Sequence, residues 1–268
     1  MLRRGTARVI AIVGARDAGK TSLIASLYDL LQENPICGIR FAQSQTLHAF
    51  ELACHDARAA SRRTEPHTYR TPRGGVSFYH LNLSGGEAGD SLTLLMGDRA
   101  GEEYQSVADN VSLAGMFPEV RRADSIAVLV DGRRLVDTVE RHNLLSEVSM
   151  MLQGLNDGGA FLEGQRLALV LTKTDVVRES SNASRADANF ASLKGKVKRH
   201  FGEVFSTIEA FEIAAAPKDD TVPRGTGIPA LLKFWLEAME RRQPQPELPP
   251  ARRPGFARAF ARVLSLDD

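Results

Sequence analysis

A glycine-rich loop near the amino terminus has the residue types that bind a polyphosphate. Four residues separate Gly14 from Gly19, and Lys20 and Thr21 follow directly. The glycines would allow the backbone N–H groups around Ala18, Gly19 and Lys20 to approach phosphates closely. Lys20 would reach the terminal phosphates, and the Thr21 hydroxyl would bind Mg²⁺. This spacing predicts a P-loop.

The segments on both sides of the loop are in the order that such a loop requires. Residues 9–13, VIAIV, form a short β-branched run that is typical of a buried parallel strand. After the loop, Leu23, Ile24 and Leu27 recur at helical spacing, and the helix would direct its positive end at the phosphates. A chance glycine–lysine turn is the alternative, and the strand–loop–helix order disfavours it.

A second group of candidate residues lies in LTLLMGDRAGEEY. Asp98 ends an apolar strand, and Gly101 follows three residues later. A carboxylate at this point can hold Mg²⁺, usually through water, and the glycine N–H can approach the terminal phosphate. Asp-x-x-Gly alone is a common turn, but its position after a P-loop and an intervening strand favours the phosphate-binding interpretation.

The strand LALVLTKTD ends in residues that can select a base: Thr172, Lys173 and Asp175. The Asp175 carboxylate can accept hydrogen bonds from guanine N1 and its exocyclic amine, which adenine does not offer in that arrangement. The aliphatic stem of Lys173 can lie over the base. The alternative is a polar strand end in which Asp175 caps the next helix, and the chain order favours guanine recognition.

In combination, the motifs GARDAGKT, DRAG and TKTD resemble those of a Ras-like (TRAFAC-type) P-loop GTPase domain over residues 8–240. The segment RFAQSQTLHAFELACHDARAASRRTEPHTYRTP is not typical of small GTPases and is similar to bacterial double-GTPase domains of signalling and conflict gene clusters. The resemblance implies a nucleotide-dependent switch with an α/β sheet of about six strands. Its switch regions would fall on the loop before VSFYHLNL and on DRAGEEY.

The resemblance also implies roles for residues outside the three motifs. Ser22 is included in the predicted nucleotide-binding set. Ala215 would give a backbone N–H to the guanine oxygen, although the family's Ser-Ala-Lys motif is present only as AAAP. Thr71 would bind Mg²⁺ in the triphosphate state and is preferred to Thr64 and Thr68, because it lies nearest the next strand.

Four residues within the motifs depart from the Ras-like pattern. Glu102 replaces the glutamine that orients the attacking water, and its carboxylate could position water or act as a base, so hydrolysis is expected to be slow or to depend on a partner. Arg16 and Asp17 replace two glycines; Arg16 could be an internal arginine finger, could exclude an external one, or could be a solvated loop residue. Thr172 replaces a common asparagine and can still bond the P-loop backbone.

Strands alternate with helical patterns along the chain, which predicts a three-layer α/β fold of the P-loop NTPase type with a mostly parallel central sheet. The predicted strands are residues 9–13, 76–83, 91–98, 125–132, 166–175 and 208–216. Residues 1–241 would form the GTPase domain, with a helical insertion and the first switch region at 36–70. Residues 242–268 would be a proline-rich linker and a short basic amphipathic tail.

Composition limits the class of protein and its partners. The 268 residues are 43% hydrophobic and 25% charged, which is ordinary for a globular protein, and the net charge of +1 argues against nucleic-acid binding. Two cysteines make no disulfide framework, and no apolar stretch approaches the roughly twenty residues of a membrane span. We expect a cytoplasmic protein whose tail folds back, contacts a partner or touches an anionic membrane surface.

The sequence therefore predicts a Mg²⁺-dependent molecular switch that binds GTP and GDP, hydrolyses GTP and acts on a protein effector. The alternative is a catalytically weak guanine-nucleotide-binding adaptor that acts through a protein partner. An ATPase or P-loop kinase is a third possibility, which TKTD disfavours.

Overall fold

A computed structural model describes residues 6–61, 74–85, 91–218 and 221–237 of the chain. Thr71, its alternatives Thr64 and Thr68, and the predicted tail at 242–268 lie outside the described residues. The helices are α1 (Lys20–Glu33), α2 (Leu47–Ser61), α3 (Gly101–Gln105), α4 (Pro118–Arg122), α5 (Gly132–Val136), α6 (Glu140–Asp157), α7 (Thr174–Glu179), α8 (Ala183–Phe201) and α9 (Ile228–Leu236). The strands are β1 (Thr6–Gly14), β2 (Ile39–Gln43), β3 (Val76–Gly85), β4 (Ser91–Arg99), β5 (Ser125–Asp131), β6 (Arg166–Thr172) and β7 (Thr207–Glu212).

The described strands form one sheet in the order β2-β3-β4-β1-β5-β6-β7. β1 is parallel to β4 and β5, and β5, β6 and β7 continue the parallel pairing, whereas β3 is antiparallel to both β2 and β4. The predicted α/β P-loop NTPase fold with a mostly parallel sheet is confirmed, and α2 supplies the predicted helix within residues 36–70.

The predicted number of strands was too low, because β2 was missed. β2 has five residues, lies at the edge of the sheet and pairs with β3 alone among the described strands. None of its side chains is fully buried. Only Ile39 and Phe41 face the core, and this alternation is too short for a strand to be predicted from it.

Helices cover both faces of the sheet, and the buried strands alternate their side chains between the two layers. Ala11 and Val13 of β1 pack into a core shared with α6 and α8. Ile10 and Ile12, which alternate with them along the strand, pack into a second core with α1 and α9. Burying one such side chain stabilises the fold by about 1.5–3 kcal/mol. Within the described part of the chain, no helix is long and apolar enough to cross a membrane.

The strand order brings four strand ends together at one edge of the sheet. β4, β1, β5 and β6 are neighbours in that order and end in Arg99, Gly14, Asp131 and Thr172. The chain leaves β1 toward β4 and later returns to β5 on the other side, so the order of strands reverses at β1. Ligands of such sheets bind beyond the carboxyl ends of the strands at this reversal.

The connection from β7 to α9 depends on a close backbone approach at Gly227. This residue has φ +81° and directly precedes α9. A Cβ at Gly227 would lie 1.9 Å from the carbonyl oxygen of Glu212, the last residue of β7. The glycine is therefore required both by the left-handed backbone and by the lack of space.

We predict that Gly227→Ala destabilises the protein by about 2–4 kcal/mol, because the left-handed cost and a steric overlap add. Gly159→Ala is the matched control: Gly159 also has a positive φ, +69°, but its Cβ would meet nothing within 4 Å. The control should lose only about 1 kcal/mol. Urea unfolding followed by circular dichroism measures both losses, and equal losses would contradict the steric argument.

Candidate functional site

The predicted P-loop connects β1 to α1 and has the backbone that a phosphate-binding loop needs. Gly19 directly precedes α1 with φ +90°, a conformation that a side chain opposes. Asp17 has φ +60°, and aspartate tolerates this region better than most residues. That tolerance explains how an aspartate occupies a position where Ras-like proteins have glycine. Gly14, Ala18 and Ser22 complete the predicted set in this loop and the first turn of α1.

Lys20, the first residue of α1, is held inside the loop. Its Nζ donates hydrogen bonds to the carbonyl oxygens of Gly14, at 3.2 Å, and Ala15, at 3.0 Å. Burial lowers the pKa of the ammonium below its ordinary value, and the carboxylates of Asp98 and Glu102 partly oppose this shift. The cation predicted to reach the phosphates therefore lies at the loop, in the field of two acidic side chains.

The two predicted metal ligands in the described residues are in direct contact. The Thr21 hydroxyl donates to Oδ2 of Asp98 at 2.9 Å, although 77 residues separate them in the sequence. Asp98 is almost completely buried. Mg²⁺ prefers oxygen ligands, and it commonly adds waters and phosphate oxygens to one or two protein ligands. The donor set at this contact therefore fits Mg²⁺, while Thr71 lies outside the described residues.

Gly101 brings the DRAG motif against the P-loop. A Cβ at this position would lie 2.4 Å from both the carbonyl carbon of Ala15 and the backbone nitrogen of Arg16. Only glycine permits this approach without a shift of one loop. Glu102 follows in the first turn of α3 and is half-buried. The structure thus brings the predicted glycine and the predicted catalytic glutamate to the P-loop.

Arg16 lies at the surface of the loop. Its side chain is 50% exposed, and its Nε lies 3.4 Å from Oδ2 of Asp17. This arrangement is the one expected for a solvated loop residue. The role of Arg16 as an arginine finger stays a prediction.

Arg99, within the DRAG motif, belongs to a buried network that the sequence reasoning missed. Its Nε donates to Glu119 at 2.7 Å, and its Nη1 donates to Glu103 at 2.5 Å. Tyr104 donates its hydroxyl proton to Glu119 at 3.0 Å, and Glu103 also accepts the N–H of Gly74 at 2.5 Å. The network joins the second predicted switch region to α4 and to Gly74, two residues before β3. Glu119 has no motif around it, so no sequence signal identified it.

The charges of this network shift two pKa values upward. Burial lowers the pKa of Arg99, but the hydrogen bonds that Arg99 donates to Glu119 and Glu103 raise it above its ordinary value. Burial raises the pKa of Tyr104, and the neighbouring charge of Glu119 raises it further. Arg99 therefore remains a cation and Tyr104 a neutral donor at neutral pH.

The TKTD motif lies beside the P-loop. Thr172 donates its hydroxyl proton to the carbonyl oxygen of Ala18 at 2.9 Å, which confirms that threonine can bond the P-loop backbone. Asp175 is buried in the first turn of α7 and accepts the N–H of Lys218 at 3.3 Å. The alternative in which Asp175 caps the next helix is wrong, because Lys173 occupies the capping position.

The ammonium of Lys173 pairs with Asp131, a residue that the sequence reasoning also missed. Nζ of Lys173 lies 2.8 Å from Oδ2 of Asp131, the last residue of β5. In the parallel pairing of β5 with β6, Asp131 lies beside Thr172. The acidic end of the apolar run SIAVLVD is the sequence signal that could have found it.

The loop that contains Ala215 is attached to α1. The Ser26 hydroxyl donates to the carbonyl oxygen of Ala215 at 2.6 Å. Arg224, later in the same loop, donates to Asp29 at 2.7 Å and also bonds Glu33. Because α1 begins at the P-loop, these contacts attach the loop with the predicted base-binding backbone to the helix that follows the candidate phosphate-binding residues.

Comparison with known proteins gave a family and a distant structural likeness. The family model described as Double-GTPase 2 matches residues 8–236. No curated protein matches the chain. Among solved structures, the chain is similar to the crystal structure of a bacterial selenocysteine-specific elongation factor, EF-Sec, with 11% sequence identity, 77% of this chain covered and a TM-score of 0.35. The match covers 26% of the elongation factor's own chain.

We predict that Glu119→Gln destabilises the protein by about 3 kcal/mol, because Arg99 loses its principal buried counter-charge. Glu147→Gln is the matched control: Glu147 pairs with Arg134 but its side chain is 35% exposed. That substitution should cost less than about 1 kcal/mol. The free energy of unfolding in urea measures both, and a loss at Glu119 no larger than that at Glu147 would show that the buried network adds little stability.

Proposed function

The chain belongs to the Double-GTPase 2 family, and on this premise we propose that it is a Mg²⁺-dependent switch that binds GTP and hydrolyses it. The family match, over residues 8–236, confirms the resemblance to GTPase domains and supports a GTP-binding domain. The division into a GTPase domain at 1–241 and a tail at 242–268 belongs to the proposal. So do the protein effector, the cytoplasmic location and a bacterial signalling or conflict context.

The contact between Thr21 and Asp98 carries this proposal. It joins the residue after the P-loop lysine to the acid of the DRAG motif, two positions that were predicted to share one Mg²⁺. The hydroxyl and the carboxylate would hold the ion, with Thr71 as the proposed third ligand. An ion held there would offset the negative charge of the phosphate oxygens.

The phosphates of GTP would lie on the P-loop. The backbone N–H groups at Ala18 and Gly19 would donate to them, helped by the positive end of the 14-residue helix α1. Lys20 would exchange its two carbonyl acceptors for phosphate oxygens, which are stronger acceptors for a cation. The N–H of Gly101, which lies against the loop, would contact the terminal phosphate.

Glu102 is the residue we propose for positioning the attacking water. Its half-buried side chain follows Gly101 directly, and its charge raises the pKa of Lys20. A carboxylate can orient water or accept its proton, but its charge repels the phosphate. We therefore propose slow intrinsic hydrolysis, assisted by Arg16 or by a partner.

Guanine would be bound between the TKTD strand end and the loop at Ala215. Asp175 would accept hydrogen bonds from guanine N1–H and from its exocyclic amine, and the stem of Lys173 would cover the ring. Ala215 would donate its N–H to the guanine oxygen. Thr172 supports this arrangement, since its bond to Ala18 ties the base-binding strand to the phosphate loop.

A catalytically weak guanine-nucleotide-binding adaptor is the second candidate function. The surface pairing of Arg16 with Asp17 favours it, because an arginine held there does not assist phosphoryl transfer. Purified protein that retains unhydrolysed GTP for hours would support the adaptor. Prompt production of GDP by the protein alone would exclude it.

A competition titration with GTP, GDP and ATP in the presence of Mg²⁺ tests the proposed ligand. We expect guanine nucleotides to bind at least about a hundredfold more tightly than ATP, a difference of roughly 2.7 kcal/mol. The reason is that Asp175 would accept hydrogen bonds from two guanine groups, N1–H and the exocyclic amine, that adenine does not present in that arrangement. Equal competition by ATP would contradict guanine recognition and leave a P-loop nucleotide-binding protein of another specificity.

Glu102→Ala tests the proposed catalytic role. Turnover should fall by at least about tenfold, because the positioned water loses its acceptor. The affinity for GDP should change by less than about twofold, since Glu102 is not proposed to bind the diphosphate. Single-turnover hydrolysis and equilibrium titration measure the two effects, and unchanged turnover would remove Glu102 from the mechanism.

A further inference from the structure

The carboxyl end of β5 presents a buried acid to the base-binding motif. The side chain of Asp131 is 3% exposed, whereas that of its partner Lys173 is 30% exposed. Both carboxylate oxygens of Asp131 are used: Oδ2 accepts from Lys173 at 2.8 Å, and Oδ1 accepts the N–H of Arg133 at 2.9 Å. The carboxylate is thus fixed at two points.

Lys173 is constrained at both ends of its side chain. Its backbone has φ +54°, in the left-handed region that costs a non-glycine residue about 1–2 kcal/mol. Its carbonyl oxygen accepts the N–H of Val177 at 3.2 Å, which ties the backbone to α7. Because Asp131 holds the ammonium, the four-carbon stem between the two ends is restricted as well. A flexible lysine side chain becomes an ordered one.

At Gly132, the backbone that follows β5 packs closely against the TKTD motif. A Cβ at Gly132 would lie 2.3 Å from the carbonyl oxygen of Thr172 and 2.6 Å from Cγ2 of Val177. The backbone next to Asp131 therefore lies directly against the end of β6. The position of the carboxylate relative to Lys173 follows from this packing.

We propose that Asp131 is a positioning residue for the purine base, acting through Lys173. Resting on the proposed function, this inference assigns to Asp131 the task of holding the stem of Lys173 in place to cover the face of the base. Ordering a lysine side chain before binding removes an entropic cost that binding would otherwise meet. Asp131 itself does not touch the nucleotide.

The proposed role of Asp131 differs from that of Asp175 in its effect on the relative affinities for different purine bases. The lysine stem covers the ring face, which guanine and hypoxanthine share. Asp175 is proposed to read the edge, where hypoxanthine lacks the exocyclic amine of guanine. A defect at Asp131 should therefore weaken GDP and inosine diphosphate equally, whereas a defect at Asp175 should change their ratio.

The test is equilibrium titration of the full chain with GDP and with inosine diphosphate in the presence of Mg²⁺. Asp131→Asn should weaken both nucleotides about tenfold, equivalent to 1.4 kcal/mol, with their affinity ratio unchanged. Asp124→Asn is the matched control, because Asp124 is a buried acid at the opposite end of β5 that accepts the N–H of Val9. The control should leave both affinities unchanged.

A double substitution separates positioning from general support of the fold. If Asp131 acts through Lys173, the pair Asp131→Asn with Lys173→Met should bind GDP as weakly as Lys173→Met alone. Additive losses, a loss limited to one nucleotide, or no loss in Asp131→Asn would overturn the inference. If Asp131→Asn does not fold, Asp131→Ser is used instead in each measurement. Serine retains a short acceptor for the N–H of Arg133.

Failure of the inference and failure of the proposed function give different results. Wild-type protein that binds neither GDP nor GTP would overturn the proposed function and the inference with it. Wild-type protein that binds GDP tightly while Asp131→Asn binds it equally well would overturn the inference alone.

Discussion

Close backbone contact between strand ends is the constraint on which the site depends. Gly101 lies against the P-loop at Ala15 and Arg16, and Gly132 lies against the carbonyl oxygen of Thr172. Gly14 is less crowded, since its Cβ would lie 3.1 Å from Leu129. Side chains at Gly101 and Gly132 would push the neighbouring backbone away. Glycine therefore permits the candidate phosphate-, metal- and base-binding residues to lie close together.

Charged groups buried at this edge are each held by a specific partner. Lys20 bonds loop carbonyl oxygens, Asp98 accepts from Thr21, and Arg99 bonds Glu119. Removing charges from water costs free energy that such contacts only partly offset, so buried ion pairs are weak evidence for stability. Their concentration around the P-loop is better explained by the need to fix charges in position before a charged ligand binds.

Helix α1 and the network around Arg99 connect the site to the rest of the fold. α1 begins at the P-loop and holds the Ala215 loop through Ser26, so the predicted phosphate and base contacts share one element. Glu103 joins Arg99 to Gly74, which follows the segment containing the predicted first switch. Movement of the predicted second switch region would therefore act on the start of β3.

Much of the fold and of the candidate site could be predicted from the sequence, because both depend on patterns within short segments of the chain. Apolar runs predicted the buried strands, and glycine spacing predicted the P-loop. The contact of Thr21 with Asp98 could be expected because their motifs lie at the carboxyl ends of β1 and β4, which are parallel neighbours in the sheet. β2 was missed because an edge strand needs little apolar surface: only Ile39 and Phe41 of its five residues pack against the core.

The sequence by itself determined the strand–loop–helix at Gly14–Lys20, the alternation of strands and helices, and the identities of the candidate ligands. These depend on spacing and side-chain chemistry that are local to the chain. Only the tertiary structure decided the partners of Arg99 and Lys173. Glu119 and Asp131 lie 20 and 42 residues away from them and belong to no shared motif. The folding of the sheet brings these charges together, and burial makes their pairing necessary.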